Sequence, residues 1–142
     1  TVKEKVFSML FKGMREEKLI EFCQDYSENY IPQILRKEAL EKIKWHREKG
    51  HKLVIISASV DEWIKPWALK NGFENVVSTK YEISNGVLTG KFSTKNCYGK
   101  EKLTRFVNEY GNTDKYYIYM YGDSNGDKEM LKIAQEKFYR KF

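Results

Sequence analysis

The stretch "YGDSNGD", residues 121–127, sets two carboxylates, Asp123 and Asp127, four residues apart in a glycine-bearing turn directly after the aromatic run "KYYIYM". Carboxylate oxygens in such a turn suit a hard cation, and Mg²⁺ prefers oxygen ligands while keeping several waters. A second polar turn ends a second apolar run, where "KLVII" leads into Ser57-Ala58-Ser59. A hydroxyl and the free backbone N–H groups of a helix start form a cradle for an anion there. Ligands of open α/β sheets bind at the carboxyl ends of the strands, and parallel strands put both turns on one edge. A cation held beside an anion cradle implies a phosphate. Each turn also has a plainer use. Ser59 followed by Glu62 spells a helix capping box, and the acidic turn spells an Asx-type turn with a capping Asp. It is the placement of both at matching strand ends that favours chemistry.

The elements that position these turns follow from hydrophobic period. The first 35 residues carry helical spacing: Val2, Val6, Met9 and Leu10, then Leu19, Phe22, Cys23, Tyr26 and Tyr30 along one stripe that Pro32 interrupts. "KEALEKIKWHREKG" continues as a helix with Leu40, Ile43 and Arg47 in line and Gly50 as its stop. The period then changes, because "KLVIIS" is the unbroken β-branched run of a strand covered on both faces in a parallel sheet. The helix "DEWIKPWALKNG", the strand "FENVVST" and a hairpin turning on Asn85-Gly86 come next. The helix "KEKLTRFVNEYG", the strand "YYIYM" and the closing helix "DKEMLKIAQEKF" complete the order. This alternation predicts a doubly wound, Rossmann-like α/β domain over residues 38–142, preceded by a helical segment, residues 1–37.

Composition limits the function classes. With 41% hydrophobic and 15% aromatic residues the chain has a core to build, and 142 residues are enough for one domain. Its 26 Lys and Arg against 20 Asp and Glu would suit an anionic partner, but most bases sit beside acids on helix faces, as in "REEK". A solvated lysine-rich surface is the plainer reading, and nucleic acid is not expected. Cys23 and Cys97 stand apart, without CxxC spacing, as reduced thiols. His46 and His51 read as surface residues, and Trp63 and Trp67, four apart on a helix, as core packing rather than a substrate pocket. No apolar stretch has the length of a membrane span and no secretory signal is visible, so the expected location is the cytoplasm.

Taken together, the motifs resemble those of the haloacid dehalogenase phosphohydrolase superfamily, in the branch similar to phosphoserine phosphatase. "LVIISAS" is similar to that family's second motif, which implies that Ser57, with Ala58 beside it, binds the transferring phosphoryl group. "NCYGKEKLTRF" is similar to the third, whose lysine neutralises phosphate charge; Lys102 fits best, with Lys100 competing. "GDSNGD" is similar to the fourth, which implies Asp123 as a Mg²⁺ ligand and Asp127 as a supporting acid. The resemblance implies a Mg²⁺-dependent phosphomonoesterase acting on a small phosphorylated metabolite through an aspartyl-phosphate. Residues 1–37 would then be the C-terminal part of a helical cap.

One part of the pattern is absent. The family's nucleophile is the first Asp of a DxDx[TV] motif on a central strand, and no DxD occurs among these 142 residues. The expectation is that the first central strand and half the cap are missing, that something preceded Thr1, and that this chain alone is inactive. A truncated binding module is the alternative, and a basic nucleic-acid-binding domain a more distant one. The missing strand would lie between those formed by "KLVIIS" and "YYIYM". Their edges should therefore pair with each other, join another chain, or receive a segment supplied separately.

Overall fold

The computed structural model describes all 142 residues, Thr1–Phe142. Helix α1 (Val2–Phe11) is capped by the Thr1 hydroxyl, which accepts the Glu4 N–H. Helix α2 (Glu16–Asp25) runs without a break into one π-helical turn, Tyr26–Tyr30, and then into α3 (Ile31–Ile34). Pro32, which has no N–H to donate, directly follows the π turn, where the Ile31 N–H still bonds Tyr26 O, so the wider turn accommodates the proline within the helical run. The aromatic stripe divides: Leu19 and Cys23 are buried, whereas Phe22, Tyr26 and Tyr30 face solvent. On α1 it is Phe7 that enters the core, and Val2, Val6, Met9 and Leu10 are exposed.

Helix α4 (Lys37–Glu48) leads into β1 (Val54–Val60), which pairs in parallel with β2 (Asn75–Thr79) across α5 (Asp61–Lys70). The hairpin of β3 (Tyr81–Ser84) and β4 (Val87–Phe92) turns through Asn85 and Gly86, at φ 51° and 75°. Both residues are left-handed, as a type I′ turn requires. Segment 13–16 runs along β4, with Gly13 N donating to Leu88 O and Leu88 N to Met14 O, both at 2.9 Å. One core therefore unites Phe7, Leu19 and Cys23 of the helical segment with Val60, Tyr81 and Leu88. A second gathers Ile31, Trp67, Ala68 and Val76, so Trp67 does pack as core.

Helix α6 (Lys100–Tyr110) precedes β5 (Tyr119–Gly122), and α7 (Lys128–Ile133) precedes β6 (Glu136–Tyr139), which is parallel to β5. Two expectations are corrected here. The strand begins at Tyr119, because Tyr116 and Tyr117 turn outward to bond Tyr110 O and Glu136 Oε1, each at 2.9 Å. The closing helix stops at Ile133: Gln135 N and Glu136 N both donate to Ile118 O, and Phe138 stacks on Tyr121 at 4.5 Å. Ladder pairing and aromatic stacking thus outweigh the helical preference of "AQEK".

The architecture is α/β with parallel pairing, but its ladders are β1–β2, β3–β4 and β5–β6. Strands β1 and β5 do not pair directly; each has a ladder partner on one side only. β1 is partly exposed from Val54 to Ser59 and fully buried only at Val60. No helix is long and apolar enough to cross a membrane.

Candidate active site

The turn after β5 is organised by Asp127. Its Oδ2 accepts the N–H groups of Asp123 at 3.1 Å and Ser124 at 3.0 Å, and the Ser124 hydroxyl at 2.9 Å. Ser124 and Asp127 form a capping box, whereas the sequence placed one at Ser59 and Glu62. That box does not form, because β1 extends through Val60 and α5 begins at Asp61 without a side-chain cap. The glycines of the turn are crowded to different degrees, Gly122 by the buried Asp127 and Gly126 by the exposed ring of Tyr98. A Cβ on Gly122 would lie 2.6 Å from Asp127 Cβ, and one on Gly126 would lie 2.5 Å from the Tyr98 ring.

Asp127 Oδ1 accepts from Lys102 Nζ at 2.6 Å, and the same ammonium donates to Ile56 O of β1 at 3.0 Å. The two side chains are only 9% and 7% exposed, so both charges depend on each other. Burial pushes the Asp127 carboxyl upward, but the Lys102 bond and the Ser124 donors together outweigh it and hold it below the usual range. The side chain of Lys100, the competing lysine, is exposed. Lys102 therefore sits where Ile56, one residue before Ser57, meets the acidic turn.

Ser57 ends the regular pairing of β1, after which the register slips before Val60 meets Thr79. Its Oγ accepts the Ser59 N–H at 3.1 Å, curling the strand end into a turn. Thr79 fixes that turn from the neighbouring strand, donating to Ala58 O at 2.9 Å while accepting the Cys97 N–H at 3.0 Å. Asp123 is exposed, and neither a hydrogen-bond donor nor a cation of the protein engages its carboxylate. It can ligate a metal, whereas Asp127 has spent both oxygens. No three His, Cys, Asp or Glu side chains cluster into a metal site, so Asp123 is a single candidate oxygen ligand.

Other groups escaped the sequence reading. His46 is buried, not superficial: its Nε2 lies 2.9 Å from Tyr121 OH and its Nδ1 lies 2.8 Å from His51 Nδ1. Burial, then the neighbouring His51 and Lys42, push its pKa down. The i,i+5 spacing around Gly50 was the only signal that the two rings could meet. Lys3, which donates to both Ala58 O and Asn96 Oδ1, gave none, since that meeting is purely tertiary. A cavity of about 250 Å³ opens at the start of α5, lined by Glu16, Asp61, Glu62, Lys65, Lys80 and Tyr81 among others. Burial, then a hydrogen bond with Asp61, push Glu62 up to about 7.

A parallel α/β scaffold with a serine turn, a buried lysine–aspartate pair and a GDxxxD turn along one edge is the layout of a phosphohydrolase-like fold. The chain belongs to the haloacid dehalogenase-like hydrolases, whose family profile matches residues 1–132. It is 33% identical to Protein CicA of Caulobacter vibrioides over 142 residues, covering 99% of this chain and 64% of that protein. The chain therefore spans less than two thirds of that relative's length. Among solved structures it superposes on a protein of unknown function from Bordetella pertussis Tohama I with a TM-score of 0.73 and 19% identity, over 83% of this chain and 55% of the other. A phospho-aspartyl intermediate analogue of phosphoserine phosphatase gives a TM-score of 0.62 and 24% identity, over 94% of this chain and 61% of the other. At these identities the structural likeness is one of fold.

Proposed function

We propose that the complete protein is a Mg²⁺-dependent phosphomonoesterase acting on a small phosphorylated metabolite through an aspartyl-phosphate, and that these 142 residues carry its phosphate-binding and charge-stabilising half. The observation that carries this reading is the Lys102 ammonium, held at once by Asp127 Oδ1 and by the Ile56 carbonyl beside Ser57. Ser57 Oγ and the N–H groups of its turn hold phosphoryl oxygens. Lys102 offsets charge that grows on those oxygens in the transition state, and Asp127 orients Lys102. Asp123 contributes one oxygen ligand to Mg²⁺, which when bound neutralises further phosphate charge. The covalent step needs a carboxylate in line with the phosphorus. Among these residues no DxD supplies it, so the chain alone is inactive.

The experiment compares this chain with the full product of its native gene on a panel of small phosphate monoesters. Hydrolysis is expected from the full product, with Mg²⁺, and from an upstream DxDx[TV]; Ser57→Ala and Lys102→Met should each cut kcat/KM by about a hundredfold or more. A native product without that motif, inert towards every ester yet binding phosphate, would instead establish the non-catalytic binding module.

A further inference from the structure

The turn that follows Ser57 is approached from the helical segment by one further cation. Lys3, on α1, donates from Nζ to Ala58 O and, at 3.1 Å, to Asn96 Oδ1. Neither acceptor is charged, and unlike Lys102 this lysine has no carboxylate as an ion-pair partner. The side chain is nevertheless half-buried, and loss of hydration pulls its pKa below the ordinary lysine value, an effect that Cys97 partly opposes. An ammonium has three donors, and only two are used here. A purely structural tie between α1 and the turn needs no positive charge; a neutral amide donor would hold Ala58 O without the cost of drying an ion. Besides these two acceptors the ammonium meets only the face of the Phe92 ring, 5.8 Å from Nζ, so no anionic group of the protein balances it.

We propose that Lys3 is the second cation of the anion site, carried in by α1 to bind an oxygen of the phosphoryl group held at Ser57–Ala58. This rests on the phosphatase reading above and adds to it a residue that lies outside the three motifs. The two lysines divide the work. Lys102, its charge balanced by Asp127, is fixed before a ligand arrives. Lys3 brings net positive charge and has a donor to spare, so it supplies affinity for the dianion. Because Lys3 is rooted in α1 and Ala58 in the end of β1, a bound phosphoryl group also draws the helical segment onto the strand ends.

The test is titration of inorganic phosphate into the 142-residue chain, followed by calorimetry and by ³¹P line broadening, at fixed low ionic strength with Mg²⁺. Lys3→Met should weaken binding about tenfold, Lys3→Arg should stay within about twofold of the original, and Lys5→Met, which removes an exposed charge from the same helix, should change nothing. Melting temperatures of Lys3→Met and Lys3→Arg should agree. If Lys3→Met binds phosphate like the original while Ser57→Ala does not, the assignment of Lys3 is wrong and the phosphatase reading stands. Equal losses in Lys3→Met and Lys5→Met also overturn it, as would a Lys3→Met loss matched by a lower melting temperature and not restored by Arg. If the original chain takes up no phosphate, both readings fall.

Discussion

Replacing Asp127 by Asn keeps the shape of the side chain and removes its charge, and the geometry says what that costs. Oδ1 faces an ammonium at 2.6 Å, while Oδ2 faces two backbone N–H groups and a hydroxyl at 2.9–3.1 Å. An amide has one acceptor end and one donor end. In either orientation its NH₂ meets donors: with the NH₂ towards Lys102 the ammonium loses its counter-charge, and with it turned away the Asp123 and Ser124 N–H groups lose their acceptor. Breaking one partner of a buried ion pair costs about 3–5 kcal/mol. That is about a fifth or more of the roughly 5–15 kcal/mol that holds a domain folded. With an m-value of about 2 kcal/mol/M, the urea midpoint should fall by about 2 M. The assay is urea unfolding followed by circular dichroism for Asp127→Asn, Lys102→Met and the double variant. The double variant should recover about 1.5–3 kcal/mol relative to the sum of the singles, since no charge is then stranded. An Asp127→Asn protein within about 1 kcal/mol of the original, or strictly additive singles, would falsify the account of the pair as mutually dependent.

Three further outcomes are expected. Burial holds a proton on folded Glu62 up to about 7, whereas the unfolded chain releases it near the ordinary 4.5, so this group's contribution to stability falls as pH rises between those values. Glu62→Gln should therefore lose less melting temperature than the original between about pH 5 and about pH 8, by the equivalent of about 2 kcal/mol at most given its partial exposure; parallel curves would show that the carboxyl ionises freely. Gly122→Ala drives a methyl to 2.6 Å from Asp127 Cβ and should cost about 1–3 kcal/mol, whereas Gly126→Ala meets only the edge of Tyr98, which is 51% exposed and can swing away. Equal unfolding midpoints for the two variants would contradict that ranking. Mg²⁺ should bind this chain weakly, at about millimolar Kd or above, and Asp123→Asn should abolish the calorimetric signal while leaving the unfolding midpoint unchanged. Micromolar affinity retained in Asp123→Asn would place the cation elsewhere.

What the sequence disclosed, and what it concealed, divide along physical lines. β1, β2 and the hairpin were legible because β-branched runs and Asn85-Gly86 are local signals. The geometry also separates Lys102 from Lys100, since only one of two lysines two residues apart on a helix can face the core. β6 was hidden because its residues suit a helix until Ile118 and Tyr121 offer a ladder and a stacking surface. The covered look of "KLVIIS" misled for another reason. An apolar run records what a strand is able to pack against, and β1 here has a ladder partner at one edge alone, with Val54 to Ser59 only partly buried. His46 was misjudged because its burial is created by Tyr119 and Tyr121, more than seventy residues away in the chain.

Lys102 also joins two ladders that share no backbone hydrogen bonds: its amine grips β1 at Ile56 and the turn after β5 at Asp127. The spacing of those ladders is consequently set in part by a flexible alkyl stem, as by a tether, and not only by the stiff mesh of a continuous sheet. A tether of this kind tolerates small changes in separation that a ladder would resist. The group that would offset phosphate charge is thus also a mechanical joint. Slow opening of that joint should appear as hydrogen exchange at the Asp123 and Ser124 amides, whose shared acceptor is the same Asp127.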